Sequence, residues 1–304
     1  MKSPISNSQG CKLLKITSVD SIVKRWGELG VDWHPDPLVS EIEYWYDDQT
    51  GLYFYTPAAA AGDEKLYIQL QQYPWYYMED KWEFNSALDL INPSDKVLEV
   101  GVGCGFFLEL CRARGIDVSG VELNPSGAAR ARSKGFKIFE KDLTELELSV
   151  ISRKYDVIAS FQVLEHVPAP LPFLRGMIAN LREGGRLLLS VPNSEIMHKI
   201  DPDCSDLFNQ PPHHMAHWSE RAFKSLENYL PIKLISVHYE PLAEYHVGWF
   251  VSAYLRGCLG FLGRPASRLL VNRYSIYPIV IFMKLGLRNF FRGHSMLVEF
   301  IKMV

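Results

Sequence analysis

Residues 97–106 read VLEVGVGCGF, and this stretch decides the fold. Its first half is an apolar β-type run, and its second half is a glycine-rich turn that opens a predicted helix. Gly101 and Gly103 let the backbone approach a ligand because they carry no Cβ, and Gly105 allows the turn into the helix. The free N–H groups of a helix N-terminus then face the same place. We therefore expect a cofactor to bind at this turn.

Short β-type runs alternate with longer helical stretches on the C-terminal side of the turn. That alternation predicts βαβ units and a parallel sheet. The predicted strands, in chain order, are KVLEVG, DVSGVEL, FKIFE, YDVIASF, GRLLLSVPN, IKLISVHYE and SMLVEFIK. The expected fold is a doubly wound, seven-stranded, Rossmann-like α/β sheet that begins near residue 86. We expect its final strand, residues 295–302, to run antiparallel beside the fifth.

Four segments make up the predicted organisation of the chain. Residues 1–85 form an aromatic-rich helical extension, with one or two helices between residues 66 and 90 and too little alternation for a strand meander. Residues 86–244 form the cofactor-binding core. Residues 245–294 form a basic and apolar helical insertion, and residues 295–304 supply the last strand.

Composition excludes several classes of protein. The chain has 304 residues with a net charge of -3, so it lacks the positive charge that a nucleic-acid backbone attracts, and no nucleic acid is expected. Its five cysteines are odd in number and never spaced as CxxC, which argues against a disulfide framework or a structural zinc site. The N-terminus has no apolar stretch like that of a signal peptide, so a cytoplasmic location is expected.

Charge is distributed unevenly along the chain. Residues 245–298 contain no Asp or Glu. They carry Arg256, Arg264, Arg268, Arg273, Lys284, Arg288 and Arg292. Their apolar runs are shorter than the ~20 residues that span a bilayer. Three interpretations stay open: a plain helical subdomain with a solvated basic face, a lid that binds an anionic acceptor, or a surface that contacts anionic lipid at the inner face of a membrane.

The glycine turn departs from the dinucleotide fingerprint GxGxxG because Phe106 occupies the sixth position. The pattern ExGxGxG, in which Glu99 stands two residues before Gly101, instead resembles motif I of class I S-adenosylmethionine-dependent methyltransferases. The resemblance implies S-adenosylmethionine as the cofactor, held at Gly101, Gly103 and Gly105. An acid inside an apolar strand needs a partner, and the cofactor's ammonium group would be the partner of Glu99.

The resemblance assigns further residues to the cofactor. Glu122, at the end of the second strand, is expected to accept hydrogen bonds from the ribose hydroxyls. Asp142 and Leu143, after the third strand, are expected to contact adenine. The segment FQVLEHVP is similar to one in ubiquinone-biosynthesis O-methyltransferases and their relatives. Its Gln162 would lie beside the methionine part of the cofactor.

Residues 211–218 read PPHHMAHW and resemble a branch of methyltransferases from glycan and secondary-metabolite pathways. Imidazole titrates near pH ~6.5, so His213, His214 or His217 could take the proton from an acceptor hydroxyl. The alternative is that these histidines are structural and bond to loop carbonyls.

A metal site is a further alternative, because the same histidines and the pair Glu165 and His166 offer ligands for one divalent ion. Their spacing matches no metal motif such as HExxH, and methyl transfer needs no Lewis acid. We therefore expect no metal. Glu165 and His166 are interpreted as organisers of the loop beside the cofactor.

The N-terminal extension is expected to cover the cleft, as N-terminal helices do in this superfamily. Tyr76, Tyr77, Lys81 and Trp82 are the residues most suited to contact it. The expected function is methyl transfer to a hydroxyl of a small molecule or glycan, including anionic or lipid-linked acceptors. Two alternatives stay open: a non-catalytic methyltransferase-fold protein that binds a partner or a membrane, and an NAD-dependent oxidoreductase.

Overall fold

Two β-sheets organise the chain in a computed structural model that describes residues 1–73, 76, 78–141, 154–259 and 264–304. The strands are β1 (Lys12–Ser18), β2 (Glu41–Tyr46), β3 (Tyr53–Thr56), β4 (Lys96–Val100), β5 (Asp117–Val121), β6 (Ile138–Phe139), β7 (Tyr155–Phe161), β8 (Leu181–Pro192), β9 (Ala216–His217), β10 (Ile232–Pro241) and β11 (Arg292–Lys302). The α-helices are α1 (Val19–Glu28), α2 (Glu64–Leu70), α3 (Trp82–Leu88), α4 (Phe106–Ala113), α5 (Pro125–Ser133), α6 (Pro170–Asn180), α7 (Ser194–Ile200), α8 (Glu220–Ser225), α9 (Val247–Cys258), α10 (Arg264–Leu270) and α11 (Arg273–Lys284).

The larger sheet has seven strands in the order β10-β11-β8-β7-β4-β5-β6. Strands β4 to β8 pair in parallel, whereas β11 is antiparallel to both β8 and β10. The doubly wound α/β fold is therefore confirmed, including the antiparallel last strand beside the fifth strand of this sheet.

Strand β4 shows why the sheet is covered on both faces. Its side chains alternate between two cores: Leu98 and Val100 pack in one, and Val97 packs in the other with Phe107 of α4. A strand buried on both faces reads as a continuous apolar run. Glu99 interrupts that run and is itself buried.

The smaller sheet has the order β1-β2-β3-β9, and its first three strands belong to the N-terminal extension, whereas β9 comes from residues 216–217. The prediction of a helical extension without a strand meander is therefore wrong in part, since β1 to β3 pair as antiparallel neighbours. In β2 the inward residues Ile42 and Tyr44 alternate with more exposed ones, but aromatic side chains on both faces hide the period. Helices α2 and α3 do occur in the range predicted to be helical.

The site is positioned where the sheet order reverses. Strand β4 lies between β5 and β7, and ligands in open α/β sheets bind outside the carboxyl ends of the strands at such a switch point. The glycine turn follows β4 at this edge.

The insertion before β11 is helical, as predicted. It has its own small core, formed by Leu242, Val247, Val251, Val271, Ile276 and Met283. Among the residues that the structure describes, no helix combines the length and apolar character needed to cross a bilayer.

Candidate active site

A cavity of about 1060 Å³ opens at the carboxyl ends of β4, β5 and β7. Its wall includes the glycine turn, the loop after β7 and the His213 loop. The N-terminal extension covers it with residues 61–64, Tyr76 and the segment from Met78 to Phe84. Another side is closed by Glu240 of β10, Ser295 of β11 and Tyr245. Its volume is at the upper end of the ~300–1,000 Å³ typical of ligand sites, which leaves room for a cofactor and a second molecule.

The glycine turn presents bare backbone to the cavity. Gly101, Gly103 and Gly105 all have positive φ, at 85°, 54° and 81°. A Cβ on Gly101 would lie 2.4 Å from Cγ2 of Val163, so no larger residue fits without displacing the loop after β7. Gly105 begins α4 in the left-handed conformation that glycine adopts readily.

Glu122 stands at the end of β5 and braces this turn. Its Oε2 accepts a hydrogen bond from the Gly103 N–H at 2.7 Å, and its Oε1 accepts one from the Asn124 N–H at 2.8 Å. Each oxygen keeps a second lone pair, and Glu122 lines the cavity. Burial raises its pKa, and these backbone bonds oppose that rise.

Glu99 is 2% exposed, and its Oε2 has no hydrogen-bond partner among the residues that the structure describes. Burial raises its pKa well above the usual range, and the nearby Glu122 adds to the rise, whereas Lys81 opposes it. A buried acid without a partner is costly. A cationic group in the cavity would satisfy this oxygen, which is what the ammonium of S-adenosylmethionine offers.

Gln162 lines the cavity in a strained conformation. Its φ is 55°, its N–H donates to the Ser190 carbonyl at 2.8 Å, and its Nε2 donates to Ser190 Oγ at 3.1 Å. These bonds to β8 hold a non-glycine residue in the left-handed region. The other two predicted cofactor contacts, Asp142 and Leu143, lie outside the described residues.

His213 faces the cavity with a defined tautomer. Its Nδ1 lies 2.8 Å from the Phe208 carbonyl, which can only accept, so Nδ1 carries the proton. Its Nε2 is then an acceptor, 3.3 Å from the Tyr76 hydroxyl. Burial lowers the pKa of His213 to about 3. The ring is therefore neutral at physiological pH.

His214 and the pair Glu165 and His166 lie around His213. Nδ1 of His214 has no hydrogen-bond partner among the described residues, and neither does either carboxylate oxygen of Glu165, although Oε1 lies 3.9 Å from Nε2 of His166. Burial raises the pKa of Glu165 to about 8 and lowers that of His166 to about 4. Ring nitrogens of His166, His213 and His214, which we call the cavity cluster, lie within 4.8 Å of one another.

His217 does not face the cavity. Its Nε2 donates to the Asn209 carbonyl at 2.6 Å, and its Nδ1 lies 2.7 Å from the Tyr44 hydroxyl. The structure thus brings six kinds of predicted site residue to the cavity wall: Glu99, Gly101 with Gly103, Glu122, Gln162, His213 and His214. Gly105, which begins α4, and His217 are not part of this wall.

Sequence reasoning named Tyr76, Lys81 and Trp82 as cleft contacts, and all three line the cavity; Tyr77 lies outside the described residues. It missed Glu83 and Glu240, which also line the cavity and whose pKa values burial raises. The position of Glu83, two residues after Lys81, could have indicated it. Nothing in the sequence indicates Glu240, because β10 lies near the cavity only as a result of the order of strands in the sheet.

Residues 69–256 match the model of the methyltransferase domain family. This match covers more than half of the chain, so the protein belongs to that family, and its resemblance to class I S-adenosylmethionine-dependent methyltransferases is confirmed. Membership supports S-adenosylmethionine as the cofactor of the domain.

Similar proteins agree with this membership. The chain is 34% identical over 138 residues to a ubiquinone biosynthesis O-methyltransferase of Aeromonas salmonicida, a match that covers 39% of this chain and 57% of that protein. It is 28% identical over 150 residues to the protein of that name from Histophilus somni, covering 42% and 63%. The chain thus spans about three fifths of the length of these relatives.

A crystal structure of an S-adenosylmethionine-dependent methyltransferase from Archaeoglobus fulgidus shares the fold. It has a TM-score of 0.50 and 18% identity, and the match covers 78% of this chain and all of that one.

Proposed function

We propose that this protein transfers the methyl group of S-adenosylmethionine to a hydroxyl of a small molecule or glycan. The observation that carries the proposal is one cavity whose wall includes both the glycine turn with Glu99 and Glu122 and the loop that carries His213. Donor and acceptor can therefore be enclosed together. Alignment of two reactants in one site contributes much of the rate of a displacement reaction.

The cofactor supplies an electrophilic methyl group on a sulfonium. In the proposed arrangement Glu99 accepts hydrogen bonds from its ammonium, and the second lone pairs of Glu122 accept from its ribose hydroxyls. Gly101 and Gly103 let the backbone lie against it. The raised pKa values of Glu99 and Glu122 fit this arrangement, because a positively charged ligand favours the ionised carboxylates.

We propose His213 as the group that takes the acceptor's proton. Its Nδ1–H is fixed by the Phe208 carbonyl, so the lone pair of Nε2 is the one available for a proton. Tyr76, 3.3 Å from that nitrogen, would position the acceptor hydroxyl or pass its proton on. Glu165 lies in the same wall, and the imidazolium that forms would favour ionisation of its carboxyl group, which would then stabilise the imidazolium.

The acceptor is proposed from the chemistry of the wall and from the names of the relatives. Ubiquinone biosynthesis O-methyltransferases methylate oxygen, as their name states, and their likeness to this chain favours a hydroxyl acceptor. Tyr76, Trp82 and Tyr245 would pack against an aromatic or apolar body. An anionic or lipid-linked part would extend from the cavity toward the basic insertion, which Tyr245 borders.

Calorimetric titration tests the cofactor, and transfer of labelled methyl groups tests the acceptor. S-adenosylmethionine and S-adenosylhomocysteine should bind with micromolar affinity, whereas NAD should not. Acceptors to be screened include phenols, catechols, anionic sugars and lipid-linked glycans. Binding of NAD alone would overturn the proposal in favour of an oxidoreductase. Binding of neither cofactor would favour the non-catalytic alternative.

We also propose that the protein contacts the inner face of a membrane through the insertion. Helix α11 buries Ile276 and Met283, yet the opposite side carries an apolar stripe. This stripe comprises Tyr274, Tyr277, Ile281 and Leu285, which are 75%, 62%, 41% and 80% exposed. Such a patch flanked by cations is typical of a surface that rests on anionic lipid.

Vesicle sedimentation tests the membrane contact. The protein should bind vesicles rich in phosphatidylglycerol more than neutral ones, and binding should weaken with salt. The double variant Arg273→Glu and Lys284→Glu changes the two ends of α11 and should weaken binding. Lys12→Glu combined with Lys24→Glu, two exposed charge reversals in the N-terminal extension, is the matched control. Equal binding by all three proteins would contradict the contact and leave a plain helical subdomain.

A further inference from the structure

A second group of metal-ligating side chains lies away from the cavity. Nε2 of His198, Sγ of Cys204 and Nδ1 of His217 lie within 4.8 Å of one another, and the Tyr44 hydroxyl stands among them. Tyr44 is on β2, His198 on α7, Cys204 on the loop after α7 and His217 on β9. Four separate segments therefore direct these groups to one point, which we call the inner cluster.

The separation of the two imidazole nitrogens in the inner cluster matches that of two ligands of a tetrahedral metal ion. Two imidazole ligands at about 2.0–2.1 Å from a zinc ion lie about 3.4 Å apart, and the nitrogens of His198 and His217 are 3.2 Å apart. The Tyr44 oxygen is 2.9 and 2.7 Å from these nitrogens and 3.6 Å from Sγ of Cys204. The two distances from the Tyr44 oxygen to the nitrogens are hydrogen-bond distances, shorter than the about 3.4 Å that separates two ligands of one zinc ion. Tyr44 would therefore move outward from the nitrogens to become the fourth ligand when an ion binds.

The tautomer of His217 leaves the right nitrogen free for a metal. Its Nε2–H donates to the Asn209 carbonyl at 2.6 Å, so Nδ1, which faces the cluster, carries a lone pair. Ligating histidines typically donate their other N–H to a carbonyl or carboxylate in this way.

The backbone of Cys204 is held in the left-handed region, which residues other than glycine rarely adopt. It has a φ of 44° although it is not a glycine, and it is 4% exposed. Its N–H donates to the Asp201 carbonyl at 3.0 Å, and its own carbonyl accepts from Lys15 Nζ at 3.4 Å. Strained residues persist where the surrounding structure fixes them for a purpose.

We propose that His198, Cys204 and His217, with Tyr44 as the fourth group, bind a zinc-type transition-metal ion. A thiolate with two imidazoles suits zinc rather than magnesium or calcium. The site would be structural, because it joins β2 of the N-terminal sheet to α7 and β9. It would also fix the loop from Phe208 to His217, whose carbonyls at residues 208 and 209 orient His213 and His217.

Elemental analysis of the full chain, purified without a metal-affinity tag, tests the site. After incubation with zinc chloride and removal of free ion, the wild type should retain about one equivalent of zinc. Zinc should also raise the melting temperature, and binding should release the Cys204 thiol proton. With cobalt in place of zinc, a thiolate-to-cobalt band and the visible bands of tetrahedral coordination should appear.

Cys204→Ser is the decisive variant, and Cys258→Ser, which changes an exposed free cysteine, is its matched control. The first should lose the retained zinc and the cobalt–thiolate band, and the second should keep both. His198→Gln, at a partly exposed side chain, supplies a second variant that still folds if Cys204→Ser does not. Absence of retained metal in the wild type would overturn the proposal. So would metal that persists in Cys204→Ser but disappears in His213→Gln, because it would then belong to the cavity cluster.

Discussion

The cavity cluster and the inner cluster differ in how far their hydrogen-bonding groups are satisfied, although His213 and His217 are only four residues apart. In the cavity, His214 Nδ1 and both Glu165 oxygens have no hydrogen-bond partner among the described residues. In the inner cluster, each facing atom of His198, His217 and Tyr44 lies within hydrogen-bond distance of another.

Unsatisfied buried groups are costly, so they persist where a ligand satisfies them. Groups that satisfy one another instead hold structure together. The comparison teaches that adjacent histidines of one loop can serve different purposes, and that partner geometry distinguishes the two.

Replacement of His213 should have the largest effect. His213→Gln removes the proposed proton acceptor and should lower kcat by about 10²–10⁴-fold, the usual contribution of general base catalysis. S-adenosylhomocysteine affinity should stay close to that of the wild type, as measured by calorimetry. His238→Gln, on β10, is the control and should keep kcat. Full activity in His213→Gln would contradict the proposal that the cavity cluster serves catalysis whereas the inner cluster serves structure.

A methyl group on the glycine turn should have the next largest effect. In Gly101→Ala the new Cβ meets Val163, and the strain of about 1–3 kcal/mol should weaken cofactor binding about ten- to hundredfold. Gly115→Ala is the matched control, since Gly115 also has positive φ but a Cβ there would meet nothing within 4 Å. Equal affinity in both variants would place the cofactor elsewhere.

Glu165, the buried acid without a hydrogen-bond partner, should affect how the free energy of unfolding depends on pH. The pKa of Glu165 is about 8 in the folded protein against an ordinary 4.5, so the folded state binds this proton more tightly than the unfolded state. Its contribution to stability therefore falls as pH rises from about 4.5 through 8. Relative to the wild type, Glu165→Gln should become more stable between about pH 5 and pH 9 in urea unfolding. Glu227→Gln, whose pKa is lowered by its bond to Lys224, should show no such gain.

The smallest effect should come from the inner cluster's hydroxyl. In the metal-free protein, Tyr44→Phe removes one buried hydrogen-bonding group and should lower the free energy of unfolding by about 1–2 kcal/mol, whereas kcat per folded molecule should change little. Urea unfolding and initial rates measure the two quantities. If Tyr44→Phe instead lost much of its kcat at unchanged stability, the inner cluster would serve catalysis rather than structure, which contradicts the comparison.

The sequence predicted the larger sheet because each strand there is an apolar run bounded by turns. It also predicted the wall around Glu99, Gly101 and Glu122, since these residues lie at or just after the carboxyl ends of strands that meet at one edge of the sheet. The strands of the N-terminal extension were missed, because aromatic side chains such as Trp45 and Tyr46 occupy both faces of β2 and hide its alternation.

The inner cluster could not be predicted, for a different reason. Nothing in the motif PPHHMAHW distinguishes its three histidines from one another. His217 differs from the other two because it contacts Tyr44 in the folded structure. That contact joins residues 173 positions apart. Neither periodicity nor local spacing carries information over such a distance.

The pairing of β3 with β9 can form only late in the synthesis of the chain. The fourth strand of the N-terminal sheet can pair only after residues 216–217 have been synthesised. Tyr44 can therefore contact His217 only after a further 173 residues have been added to the chain. At about 5–20 residues per second this delay is roughly 9–35 s. During that time the edge of β3 is unpaired and exposed to other chains. Slow synthesis or crowded expression should therefore favour aggregation through this aromatic edge before the methyltransferase core has formed.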